Sequence, residues 1–138
     1  MQALQILAGI FFLIMPMGMG ITSSADHFCR QEVEWISWEA AQVRMQTEPR
    51  KIFADVYTDW CGWCKVMDRN TFQQAHIAEY LNDHFYCIKF NAEQKEAIRF
   101  NGKTYKYVNR GRKGYHELAA EITNGRLSYP TVVFLNEQ

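Results

Sequence analysis

What this sequence lacks narrows its chemistry. It carries no excess of either charge: 15 Lys and Arg balance 15 Asp and Glu. A formal net charge of zero gives no basis for nucleic acid, or for an acidic surface, as its main partner. No internal repeat and no low-complexity segment runs through its 138 residues. Cysteine is scarce, with Cys29, Cys61, Cys64 and Cys87 the only four, and a single pair closely spaced. His27, His76, His84 and His116 are scattered, so a second ligand pair for a structural zinc is missing. No metal and no cofactor is expected.

The one long apolar run, Ile6 to Ile21, is broken by glycines and Pro16 and falls short of the about 20 residues a membrane span needs. Ser23-Ser24-Ala25 follows with the small residues of a signal-peptidase site. Residues 1–25 therefore read as a signal peptide cleaved after Ala25, leaving a domain over 26–138 with no stable membrane insertion. The first five residues hold no Lys or Arg, so an uncleaved anchor is the competing reading, with a buried core helix a third. Cys29 lacks the flanking pattern of a lipid-anchored cysteine. Export places the chain in the periplasm or another extracytoplasmic space, where disulfides persist.

What remains suits one packed domain: 48% hydrophobic, 14% aromatic. Glu32 to Trp35 predicts a short entry strand, and Ser37 a helix cap for about Trp38 to Gln46, with Trp38, Ala41 and Met45 on one face. Lys51 to Thr58 is a nearly continuous apolar run, as in a central strand covered on both faces. A helix over Gln74 to Asn82, carrying Ile77, Tyr80 and Leu81 at helical spacing, leads to a strand over Phe85 to Phe90. That completes a βαβ unit. Asn101-Gly102 predicts a hairpin turn within 98–108, Gly114 to Ile122 a helix ending at Asn124-Gly125, and Thr131 to Leu135 a last strand.

Cys61-Gly62-Trp63-Cys64 falls between the central strand and a helix start. There the first sulfur meets unpaired N–H groups that favour its thiolate, and the second sits one turn on, placed to resolve a mixed disulfide. Cys61 is thus expected as the exposed attacker and Cys64 as the resolver. A structural disulfide or half of a zinc site are the plainer readings.

The segment Asp55 to Lys65, with Trp60-Cys61-Gly62-Trp63-Cys64-Lys65 at its centre, resembles the active-site segment of thioredoxin-like proteins. It is most similar to an exported subgroup related to the C-terminal domains of membrane thiol:disulfide interchange proteins. The resemblance spans residues 33–135. It implies an α/β thioredoxin fold with a β-hairpin insertion before the cis-proline loop. It also implies that Asp55 is the buried proton-handling acid, that Lys89 is its neighbour on the next strand, and that Tyr129-Pro130-Thr131 is the cis-proline loop lining the substrate groove. Trp60 and Trp63 are either substrate contacts or packing residues.

Two departures stand out. Trp63 occupies the position where better-known members carry proline or histidine, and its lack of charge favours a reductase or reshuffling enzyme over a strong oxidant. The sequence stops at Gln138, where the family adds a further strand and helix, so Thr131 to Leu135 is expected to present an apolar edge. The function so implied is thiol–disulfide exchange on exported protein disulfides, with electrons from a membrane dithiol reductase. A non-catalytic binding or chaperone-like module with a structural disulfide is the alternative.

Asp55 in an apolar strand invites an ion pair with Lys89 or a carboxyl pushed upward by burial. Cys87 reads as a buried small hydrophobe, with pairing to Cys29 the alternative. The basic stretch Arg99, Lys103, Lys106, Arg110, Arg112 and Lys113 is a solvated face or a docking surface for an acidic partner.

Overall fold

The computed structural model describes residues 32–137. The expected signal segment and Cys29 lie outside these residues. Its centre is β1, Lys51–Tyr57, in which Ile52 to Val56 are all buried. A nearly continuous apolar run, interrupted by Asp55, forms this strand because both of its faces and both of its edges are covered. β2, Phe85–Asn91, pairs parallel on one edge, with Lys51 opposite Phe85 and Asp55 opposite Lys89. β7, Thr131–Leu135, pairs antiparallel on the other, with Ile52 opposite Leu135. The sheet order is β2-β1-β7.

Alternation along the strands sorts side chains into two layers. Ile52, Ala54 and Val56 join Tyr86, Ile88 and Phe90 in a core closed by Trp38 and Ala41 of α1, Trp38–Met45, and by Leu118 and Ala119 of the last helix. Phe53 and Cys87 face the other way, against Val33, Phe72, Ala78 and Leu81. Asp55 and Lys89 share this second face by register, which places them beneath the helix that starts at the cysteines.

The βαβ unit forms as expected. α2, Gly62–Met67, runs into a π-helical turn, Asp68–Phe72, and then α3, Ala75–His84, feeds straight into β2. Ser37 caps α1 by accepting the Ala40 N–H at 3.1 Å. That cap explains why the expected entry strand shrinks to one bridging residue, Trp35 opposite Cys87: the chain turns into α1 before pairing extends. Tyr80 does not join the apolar face of α3. It is 56% exposed and stacks on His84 at 4.3 Å, while Ile77 and Leu81 pack inward.

The insertion differs from its expectation. One hairpin over 98–108 is replaced by two. β3, Ile98–Phe100, and β4, Lys103–Tyr105, flank Asn101 and Gly102, both at positive φ. β5, Tyr107–Arg110, and β6, Lys113–His116, flank Gly111 at φ 72°. Residues 113–116 are therefore strand, and α4 is shortened to Glu117–Ile122. Gly114 explains the difference. A Cβ there would lie 2.0 Å from the Tyr107 hydroxyl oxygen, so the cross-strand ring occupies the space a side chain needs. His116 caps α4 instead, its Nδ1 accepting the Leu118 N–H at 3.3 Å. Asn124 and Gly125, both at positive φ, end the helix as expected.

Among the described residues β7 is an edge strand, with Phe134 59% exposed. No helix of these residues is long and apolar enough to cross a membrane.

Candidate active site

The chain leaves β1 through Thr58, Asp59 and Trp60 in a turn closed by the Cys61 N–H donating to the Thr58 carbonyl at 3.0 Å. Cys61 caps α2: its Sγ accepts the Cys64 N–H at 3.1 Å. Cys61 and Cys64 are joined as a disulfide with Cα atoms 5.3 Å apart. The expected exposed attacker is covered in this state, Cys61 at 4% and Cys64 at 5%. Its sulfur is bonded to Cys64 and aimed at the first helical turn instead of at solvent. The exposed surface here belongs to the two indoles, Trp60 at 67% and Trp63 at 75%.

Behind the disulfide, Asp55, Thr58, Cys64, Asp68 and Lys89 line one cavity of about 310 Å³. Asp55 is 1% exposed, and neither carboxylate oxygen has a hydrogen-bond partner. Burial pushes its carboxyl up to about 6; the Lys89 charge opposes that rise and the Asp68 charge adds to it. Thr58 Oγ1, buried on the same cavity, is also without a partner.

An Asp55–Lys89 ion pair, the plainer expectation, does not form. The Lys89 ammonium goes to the Asp68 carboxylate and also lies over the rings of Trp35 and Tyr57, at 5.4 and 5.7 Å. Both members of that pair keep over a quarter of their side-chain surface in solvent. Drawing the ammonium inward to Asp55 would cost more desolvation. Asp68 was not anticipated, although its place one helical turn beyond Cys64 was a usable signal.

On the opposite flank, Tyr129–Pro130 is cis, as the resemblance implied, and the Thr131 hydroxyl donates to the Ser128 carbonyl at 2.6 Å. Trp60 packs edge-on against Tyr129 at 6.0 Å, and its Nε1–H donates to both carboxylate oxygens of Glu93 at 3.1 Å. The structure thus brings Trp60 directly against the cis-proline loop and gives its indole a partner, Glu93, that the sequence did not single out. Trp63 has no aromatic partner among the described residues.

Cys87 is 2% exposed; its thiol donates to the Leu81 carbonyl at 3.7 Å, and burial, then Glu34, pushes it up to about 12. It is an inert core residue. The six basic residues of the insertion are all exposed, and Lys103 pairs with Glu121 at 3.4 Å. Among the described residues no group of three or more side chains could hold a metal ion.

Comparisons with known proteins agree with this architecture. Over 67 residues the chain is 31% identical to spermatogenesis-associated protein 20 of Mus musculus, covering 48% of this chain and 8% of that one. Over 38 residues it is 42% identical to thiol:disulfide interchange protein DsbD of Pseudomonas sp. (strain JR1 / K1), covering 28% of this chain and 7% of that one. The chain thus spans less than a tenth of the curated relatives it matches. A solved structure named DsbH Oxidoreductase superposes with a TM-score of 0.52 at 17% identity, over 76% of this chain and 66% of that one, which shows a shared fold. The likeness to these redox proteins and the Cys61–Cys64 pair together suggest thiol–disulfide redox function. The family described as Thioredox_DsbH, a protein of unknown function (DUF255), matches residues 23–137, and this thioredoxin-like chain belongs to it.

Proposed function

We propose that this chain is a thiol–disulfide oxidoreductase that reduces or reshuffles disulfides of exported proteins, with Cys61 as nucleophile and Cys64 as resolving thiol. In the reduced domain the Cys61 thiolate attacks one sulfur of a substrate disulfide. A mixed disulfide forms and one substrate thiolate leaves. Cys64 then attacks the Cys61 sulfur, the second substrate thiol departs, and the Cys61–Cys64 disulfide remains. Two electrons have passed to the substrate. An external dithiol, supplied by a membrane reductase, returns the pair to its reduced form, so no cofactor is required.

The observation that carries this reading is the unpartnered Asp55 carboxyl on the same cavity as Cys64, its titration pushed up to about 6 by burial. A base with that titration can take the Cys64 proton as the sulfur attacks and return it on the reverse step. Pro130 and Thr131, with Tyr129, form the wall along which a substrate strand lies. Trp60 and Trp63 are its exposed apolar contacts, and Lys89 tunes Asp55. Residues 1–25 direct the chain to an extracytoplasmic space and residues 26–138 form the working domain.

One observation favours the other reading, a binding module with a structural disulfide: both cysteines are buried when bonded. The two separate cleanly. With Cys64→Ser, attack by Cys61 stops at the mixed disulfide, and a non-reducing gel should show the substrate captured through Cys61. A module with a structural pair gives no adduct.

A further inference from the structure

Resting on the oxidoreductase reading, we propose that Glu93 is a positioning and specificity residue, holding Trp60 at the mouth of the site and selecting disulfides flanked by basic residues. Its carboxylate grips the indole with both oxygens, at 3.1 Å each. The indole in turn packs edge-on against Tyr129, the residue preceding the cis-proline. Glu93 thus ties the residue before Cys61 to the wall where substrate lies.

The loop bearing Glu93 is pinned on three sides. Its own N–H donates to Asn91 Oδ1 at 2.9 Å, the Ala92 N–H to the Tyr57 carbonyl at 2.8 Å, and the His116 N–H to the Ala92 carbonyl at 2.7 Å. The backbone beneath the carboxylate is therefore fixed before substrate arrives, and the indole N–H orients the carboxylate itself, which is what preorganised recognition requires.

A neutral indole does not neutralise it. Among the described residues Glu93 has no ion-pair partner. The cation nearest in sequence, Lys95, lies 5.5 Å from the Tyr107 ring, turned toward the second hairpin. Lys65 lines the Asp55 cavity. Glu93 is also the one charge that bears on the Tyr129 phenol, whose pKa burial raises first and Glu93 second. The rim thus joins two aromatic rings to a carboxylate that has no ion-pair partner among the described residues, with the exposed Asp59 next to Trp60 adding to the negative field. A substrate with Lys or Arg beside its cysteine gains a counter-charge here, and one with Asp or Glu meets repulsion.

At about 7 Å in a water-like dielectric, one such charge is worth roughly threefold in rate, so a Lys-flanked and a Glu-flanked disulfide should differ by roughly tenfold. The test uses the full chain, reduced with dithiothreitol and freed of it, against three synthetic peptides with one internal disulfide flanked by Lys, Gln or Glu. Single-turnover rates are followed by tryptophan fluorescence at low and high salt. The expected order is Lys, Gln, Glu, with the spread narrowing in high salt. Glu93→Gln should collapse the Lys-to-Glu ratio toward one, and Glu93→Asp should restore most of it. Glu93→Ala should also shift the Trp60 indole N–H resonance, which a charge acting only from a distance would leave in place. If wild type reduces all three peptides at equal rates, the selectivity assigned to Glu93 is overturned while the oxidoreductase reading stands. If wild type reduces none of them, that reading falls and this inference falls with it.

Discussion

Lys89 stands directly opposite Asp55 across the parallel pairing of β1 and β2, yet its ammonium goes to Asp68 and leaves the Asp55 carboxyl unpartnered. The sheet brings acid and lysine together, and the helix after the cysteines takes the lysine away. The acid that remains titrates at about 6, close enough to neutral pH to take up and return a proton.

The first consequence is a stability cost with a definite sign. Asp55 titrates at about 6 in the fold against an ordinary 3.8, so between those values the folded chain binds more protons than the unfolded one. Stability therefore falls as pH rises from about 4 to about 6, and the whole cost, about 3 kcal/mol for a shift of about two pKa units, is present above that. Asp55→Asn should stabilise the protein at pH 8 by up to about 3 kcal/mol and leave it unchanged near pH 4. Urea unfolding at the two pH values measures this. An equal gain at both would mean the charge of Asp55 is not what destabilises the fold.

The neighbours of Asp55 should move its titration in opposite directions. Lys89→Met removes a charge that favours the carboxylate and should raise the pKa above about 6. Asp68→Asn removes a charge that opposes the carboxylate and releases the ammonium, so it should lower it. Carbon-detected NMR of the Asp55 carboxyl in the two variants reads both signs. Shifts of the same direction would separate Asp55 from the Lys89–Asp68 pair.

His116 carries the opposite pH dependence. It is fully buried, its ring Nε2–H donates to the Glu96 carbonyl at 3.0 Å, and its Nδ1 accepts from Leu118. Burial lowers its pKa below the ordinary 6.5, against the opposing pull of the Glu96 carbonyl and the Glu117 and Glu96 charges. The unfolded chain therefore binds more protons below about 6.5, and this contribution to stability is lost as pH falls. His116→Asn should cost about 1–3 kcal/mol at pH 7.5 through lost packing and capping, and less at pH 5. Melting curves across that range check the narrowing gap.

How far these features were legible in the sequence depended on how local their causes are. β1 announced itself because five consecutive buried residues leave an apolar run interrupted only by Asp55. The cap at Ser37, the turn at Asn101-Gly102 and the stop at Asn124-Gly125 each follow from one or two residues. The Cys61–Cys64 spacing and the Tyr129–Pro130 step were legible through resemblance. The second hairpin was not, because β5 and β6 are short and polar, and the reason Gly114 must be glycine lies across the strand in Tyr107. The partner of Lys89 was settled by desolvation in three dimensions. Glu93 reaches Trp60 across 33 residues, from a loop with no pattern of its own.

Cys87 should behave as core. With its thiol pushed up to about 12 and its sulfur against the Leu81 carbonyl, it should resist iodoacetamide at pH 8 until the protein unfolds. Cys87→Ser should cost about 1–3 kcal/mol, because a hydroxyl in that apolar cluster has a single acceptor to satisfy it. Peptide mapping after labelling distinguishes Cys87 from the other thiols.

The most direct test of the central claim is alkylation of the full chain, equilibrated in glutathione buffers of graded potential and read by mass spectrometry. If the domain is an oxidoreductase, Cys61 and Cys64 interconvert together between dithiol and disulfide at one defined potential, and in the reduced form Cys61 alone is alkylated rapidly at neutral pH. If the pair stays bonded until the protein is denatured, or if the reduced Cys61 is no faster than Cys64, the catalytic assignment is wrong and the disulfide is structural.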